Sequence, residues 1–202
     1  GLCLPILPLF EQGQPSAAVM AIVRANVREP DQVIGDLYSL TVGNAVGCTR
    51  LVEMMTEFGL ADLDEISRHI IARSRQAMLD EIAELPRGCW DNEMTVDGYG
   101  EPVTLKARLQ ISEDKVSVDF SGTSGVSPFG INVPLSYTQA YASFGVRCVI
   151  GPSVPNNAGS LEPIRVTAPV GSILNAARPH AVAARHVIGQ MLPDVVLGCL
   201  EQ

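Results

Sequence analysis

Charge is what this sequence has little of: 18% of its 202 residues are Asp, Glu, Lys or Arg, against about a quarter in an average soluble domain. With 47% hydrophobic residues, that shortage predicts a chain that gives much of its surface to neighbouring protein, as a portion of a larger molecule. Cations are the scarcer sign, 14 Lys and Arg against 22 Asp and Glu, for a formal net charge of -8. No basic stripe is available to neutralise phosphates, which excludes nucleic acid as a partner. No C-x-x-C pair occurs, and the five cysteines, Cys3, Cys48, Cys89, Cys148 and Cys199, are scattered. That pattern excludes a disulfide scaffold or a zinc ribbon and predicts reduced, mostly buried thiols in a cytoplasmic protein.

Other absences narrow the chemistry. No apolar run reaches membrane-spanning length, and the opening GLCLPILPLF has neither a basic leader nor a cleavage signature, with Pro5 and Pro8 breaking any signal core. Neither G-x-x-x-x-G-K-[ST] nor a strand followed by G-x-G-x-x-G is present, so nucleotide binding by this segment alone is not expected. The three histidines, His69, His180 and His186, stand apart with no H-E-x-x-H and no acidic calcium loop, so no metal site is assigned. There is no G-x-S-x-G and no thiol in an activating setting, so the catalytic residues stay unassigned. Internal repeats and low-complexity linkers are also missing.

What is present begins with helices. Ser16 to Arg28 reads as a short one. Pro30 opens a longer one that runs to about Phe58 and is closed by Gly59, the asymmetry expected of helix ends. Inside it Gly35, Ser39, Gly43 and Gly47 recur every fourth residue, a stripe that admits another backbone or a ligand; tight packing is the plainer reading. Asp62 and Glu65 resemble a capping box for a third helix, which ends before Pro86 and Gly88.

From Pro102 the period becomes two. Val103, Leu105, Ala107, Leu109 and Ile111 alternate with polar residues, and Val116, Val118 and Phe120 do so after the turn at Ser112 to Lys115. With Ile111 opposite Val116, Asp119 falls opposite Arg108. Asp119 is therefore either that arginine's cross-strand partner or a general base. Ser136 and Gln139 read as a second capping box for a helix to about Arg147. Two short strands are expected at Ile164 to Ala168 and Gly171 to Asn175, and a terminal helix at Ala181 to Leu200, bent or restarted at Pro193. The fold class is thus α+β: a helical part, residues 1-87, followed by a sheet-containing part, 88-202, with a β-hairpin and a C-terminal helix.

Between hairpin and helix lies VDFSGTSGVSPFGINVP, Val118 to Pro134, whose glycines, hydroxyls and Asn132 make a loop of a kind that binds a ligand or seals an interface. Together with NVREPDQVIGDLYSLTVGNAVGCTRLVEMMTEFG (Asn26 to Gly59), VPNNAGSLEPIRVTAPVGSILNAARPHAV (Val154 to Val182) and ARHVIGQMLPDVV (Ala184 to Val196), this loop resembles the hydantoinase B family, which includes the matching half of 5-oxoprolinase and a related acetone carboxylase subunit. The resemblance implies a portion of a cytoplasmic, oligomeric enzyme acting on a small molecule. In it a hydantoinase A-like partner or fused half handles ATP with Mg, and the B part opens a cyclic amide such as a hydantoin or 5-oxoproline. Carboxylation of a ketone and a non-catalytic scaffold are the alternatives. A metal, where the family has one, belongs to an N-terminal part with no counterpart here. Carried onto this chain, the resemblance offers Ser121, Gly122, Thr123 and Asn132 as lining a substrate or interface cleft. It also offers Arg185 and His186 for an anionic group, and Asp36 and Asn26 as a polar cluster beside the small-residue stripe. Turn-forming, capping and buried hydrogen bonding are the structural alternatives for all of them.

Overall fold

A computed structural model describes residues 2–200. Two compact units divide the chain, Gly1–Leu63 and Asp64–Gln202. In the first, a two-residue hairpin, β1 (Phe10–Glu11) with β2 (Gln14–Pro15), precedes α1 (Ala17–Asn26) and α2 (Pro30–Glu57). The long helix has the bounds expected of its sequence. Pro30 sits in its first turn, where its missing N–H costs nothing, and Gly59 leaves it at φ +64°. Val19, Val23 and Ile34 form this unit's small core, with Val33 and Leu37 against it.

The second unit starts with α3 (Asp64–Ala83) and then a strand that the sequence pattern did not reveal, β3 (Gly88–Val96). The sheet continues with β4 (Val103–Ile111), β5 (Val116–Asp119) and β6 (Ile164–Thr167) in the order β3-β4-β5-β6, antiparallel except for the last, parallel pair. The hairpin register is the expected one, with Ile111 opposite Val116 and Arg108 opposite Asp119. Alternation then does the sorting. One face carries Leu105, Leu109, Val116, Val118 and Val166 into the core, and the other carries Asp91, Glu93, Lys106, Arg108 and Asp119 outward.

The apolar face is covered by α4 (Leu135–Val149) and α7 (Leu192–Leu197), and Met78 and Ile82 of α3 join the same core. A four-residue α5 (Ala158–Leu161) lies on α3, and α6 (His186–Gly189) precedes α7. The order, a helical N-terminal part, a sheet region and C-terminal helix, is the α+β architecture expected.

Several local expectations are corrected. Ser136 and Gln139 form no capping box: α4 begins after Pro134 with no side-chain cap, and Gln139 Nε2 reaches the Val166 carbonyl at 3.4 Å. Gly171 to Asn175 is a turn with one bridge, Ser172 to Gly125, because its N–H and C=O groups bond the Gly/Ser loop one at a time. The terminal helix restarts at Pro193 as expected, in the first turn of α7, but its first part is only the four residues of α6. Residues 181–185 stay outside both helices, with Asn132 Nδ2 donating to the Ala181 carbonyl and the Ala184 N–H to the Gly130 carbonyl. The thiols are not mostly buried: Cys3, Cys48, Cys89 and Cys148 are exposed and only Cys199 lies in the core. No helix among the described residues is long and apolar enough to cross a membrane.

Candidate functional site

The polar face of the sheet forms the floor of a cleft of about 420 Å³ lined by Asp91, Asn92, Glu93, Lys106, Ala107, Arg108, Asp119 and Ser121. Its position follows from strand lengths. The four-residue β5 stops at Asp119, while the nine-residue β4 beside it has further to run. Beyond that point β4 is completed by side chains of the loop. Thr123 Oγ1 accepts the Lys106 N–H (3.0 Å) and donates to the Lys106 carbonyl (3.2 Å), and Ser124 Oγ accepts the Thr104 N–H (2.9 Å). Gly122 takes the bend at φ +88°, where an added Cβ would stand 3.2 Å from Lys106 Cδ.

Two ion pairs cross the floor. Arg108 grips Asp91 with both ends of its guanidinium, Nε–Oδ1 2.7 Å and Nη2–Oδ2 3.2 Å, and Lys106 Nζ meets Glu93 at 2.8 Å. The hydrogen bond from Arg108, and then its charge, hold the Asp91 carboxyl below the usual carboxylate value, and the same contact raises Arg108. Arg108 therefore turns to β3 and not to Asp119 across the hairpin. Asp119 Oδ1 instead accepts the Ser121 hydroxyl (2.8 Å), the Ser121 N–H (3.1 Å) and the Thr167 hydroxyl (3.3 Å). Its Oδ2 faces no hydrogen-bond donor among the described residues and can take one from a guest.

Of the residues offered by the sequence, Ser121 lines the cleft and Gly122 and Thr123 shape its edge through Lys106. Asn132 is elsewhere. Fully buried, it accepts the Ser127 N–H at 2.7 Å and donates to the carbonyls of Ser127, Phe129 and Ala181 at 2.9, 2.9 and 3.0 Å. Both polar atoms of its side chain are used to fold the loop. Arg185 and His186 are exposed at α6 and outside the cleft lining. The Arg185 guanidinium stands 5.7 Å over the Tyr137 ring, which is stacked on Tyr141 at 4.4 Å, and a hydrogen bond to Tyr141 pushes the Tyr137 hydroxyl up. Asn26 and Asp36 belong to the first unit. Asn26 donates to the Ile22 carbonyl at 2.8 Å, and no hydrogen bond joins it to Asp36.

Asp91 and Glu93 were not found from sequence because β3 was not. Its signal was there, with Trp90, Met94 and Val96 alternating with charged or small polar residues, but Asn92 interrupts the apolar series. Asn92 faces inward all the same, donating to the Val195 carbonyl at 2.9 Å against Gly198, where a Cβ would come within 2.2 Å of its amide. A larger groove of about 770 Å³ runs along α4 past Gln139, Phe144, Cys148 and Leu161. Its one charged residue, Arg147, is taken up by the carbonyls of Ile150, Gly151 and Val154, so it offers less chemistry than the sheet cleft. Among the described residues no three His, Cys, Asp or Glu side chains gather as metal ligands would.

Comparison with known proteins matches residues 1–202 to the family model described as hydantoinase B/oxoprolinase. One relative, from Pseudomonas sp. (strain NS671), is provisionally named as the B-type subunit of a D-/L-hydantoinase; it is 27% identical over 216 residues, covering 100% of this chain and 36% of that protein. Arabidopsis thaliana 5-oxoprolinase 1 is 26% identical over 178 residues, 81% of this chain and 14% of that one. Among solved structures, the ATP-dependent caprolactamase from Pseudomonas jessenii superposes with a TM-score of 0.88 at 23% identity, over 100% of this chain and 36% of that chain. The last likeness shows the fold. In each comparison the chain spans well under half of its relative's length.

Proposed function

This chain belongs to the hydantoinase B/oxoprolinase family, and from that premise we propose that it is a portion of the subunit that opens an activated cyclic amide. In this reading a hydantoinase A-like partner or fused half handles ATP and Mg, and a cytoplasmic setting, where ATP is available, follows. The names of two relatives, a B-type hydantoinase subunit and a 5-oxoprolinase, support the cyclic amide as substrate class.

The observation that carries the reading to particular residues is the sheet cleft, where a carboxylate with one open oxygen stands beside two cations. Exposed ion pairs such as Lys106–Glu93 and Arg108–Asp91 are screened by water and hold their partners weakly. Either cation can therefore trade its carboxylate for an anionic group on a substrate. Asp119, fixed through Oδ1 by Ser121 and Thr167, is oriented to accept a proton from a ring N–H or a water at Oδ2. General base assistance of this kind contributes about 10²–10⁴-fold when the donor lies within hydrogen-bond reach.

The test uses the full-length subunit with its ATP-handling partner, assayed for ATP-coupled opening of hydantoin and 5-oxoproline. Asp119→Asn lowers turnover at least about tenfold with the complex still assembled, and Ser121→Ala lowers it less. Wild-type turnover in Asp119→Asn would remove the cleft from the chemistry, and no turnover of any cyclic amide by the intact complex would remove the substrate class.

A further inference from the structure

The outward residues of the sheet stand in rows across the strands. In one row Asp91, Arg108 and Asp119 face one another on β3, β4 and β5. Its guanidinium has a carboxylate residue on either side and is held at both ends by Asp91. In the next row, two residues along, Glu93 faces Lys106, and the third position has no carboxylate. The register that sets Arg108 opposite Asp119 would set residue 121 opposite Lys106, but β5 has already stopped, and Ser121 turns its hydroxyl back to Asp119 at 2.8 Å. Gly122, where an added Cβ would stand 3.2 Å from Lys106 Cδ, brings no side chain. The Thr123 hydroxyl is spent on the Lys106 backbone, N–H and carbonyl both.

Among the described residues Lys106 therefore meets one carboxylate, Glu93 at 2.8 Å on its β3 side, and none on its β5 side. An ammonium carries three N–H donors, so an anion that reaches it from the β5 side need not displace Glu93. Arg108, flanked on both sides, offers no such approach. The open Asp119 Oδ2 belongs to the neighbouring row, about 7 Å along the strands. A guest that gives an N–H to Asp119 and an anion to Lys106 spends most of that gap on two contacts of about 2.9 Å each. Its two groups must be close together. A cyclic amide with a carboxylate on the ring carbon next to its nitrogen has them so.

We propose that Lys106 is the specificity-determining residue of this cleft, selecting cyclic amides that carry a carboxylate beside the ring nitrogen over neutral ones. The inference rests on the cyclic-amide reading of the cleft and decides within it, since 5-oxoproline meets the requirement and hydantoin and unsubstituted lactams do not. Asp119 takes the ring N–H and Lys106 the carboxylate. That carboxylate does not change as the ring opens, so its contact with Lys106 is as strong in the bound substrate as in the transition state. Lys106 accordingly acts on KM more than on kcat.

The test compares 5-oxoproline with 2-pyrrolidinone, the same ring without the carboxylate, in the full-length subunit with its ATP-handling partner. The expected result is a kcat/KM at least about tenfold higher for 5-oxoproline, a preference that Lys106→Met removes through a raised KM. Lys115→Met, the chain's other lysine, at the β4–β5 turn and outside the cleft lining, should keep the preference. The same two compounds are titrated onto the 202-residue chain, where 5-oxoproline should move the Lys106 side-chain NMR signal and 2-pyrrolidinone should not. A preference that survives Lys106→Met, a loss that falls on kcat alone, or a titration in which the two compounds act alike on Lys106 would each overturn the proposal. The two readings fail separately. Discrimination through Lys106 in a complex that opens no cyclic amide would keep the subsite and remove the reaction, whereas opening of both amides with equal kcat/KM would keep the reaction and remove the subsite.

Discussion

Asn132 and Asp119 are the same kind of candidate by sequence, a polar residue at the edge of a glycine-containing loop, and neighbours distant in the chain separate them. Asn132 is enclosed, and its amide meets carbonyls on both sides, one of them 49 residues away at Ala181. Its role is to satisfy backbone groups that burial would otherwise leave unpaired. Asp119 keeps an open oxygen because Arg108 prefers Asp91, whose carboxylate takes both ends of the guanidinium. That preference has a pH signature. Asp91 is held below its ordinary value in the folded chain, so its pairing contributes stability above the unfolded carboxyl pKa. The contribution is lost as pH falls through the lower, folded value. In Arg108→Met the Asp91 carboxyl should titrate higher, near the ordinary carboxylate value, in a carboxyl-carbon NMR titration; an unmoved curve would show that Arg108 is not the cause.

At the scale of elements, contacts with no spare room fix the short helices. Four-residue α5 survives because Asn157 caps it, accepting the Gly159 and Ser160 N–H groups, while Asn157 Nδ2 donates to Ser74 Oγ of α3 at 2.7 Å. Gly159 brings the two helices so close that a Cβ there would lie 2.0 Å from the Ile71 carbonyl oxygen. Gly159→Ala should therefore force α5 off α3 and destabilise the fold by about 1–3 kcal/mol, the usual range for overpacking, read from the midpoint of urea unfolding. An unchanged midpoint would mean that the two helices separate freely. Long α2 and hairpin β4–β5 differ in kind: their signals are contiguous, a Pro-to-Gly span and a strict alternation around one turn. For β3 the alternation was blurred by one inward asparagine whose partner, Val195, lies 103 residues on.

For the molecule as a whole, the main core lies entirely in residues after Asp64, from Met78 of α3 to Cys199 beyond α7. A fragment of residues 64–202 should accordingly unfold in one cooperative transition by circular dichroism and keep dispersed amide NMR signals. A molten or aggregated fragment would show that the first unit is needed for that core. The sequence alone determined the α+β class, the span of α2, the hairpin register and the family, because each is written in contiguous residues whose local preferences agree. Only the tertiary structure decided that Asn132 is buried, that Arg108 faces Asp91, that β5 pairs in parallel with β6, and that residues 181–185 stay outside the terminal helices. Those outcomes depend on partners tens of residues apart, and a side chain's local preference cannot specify which distant group will reach it first.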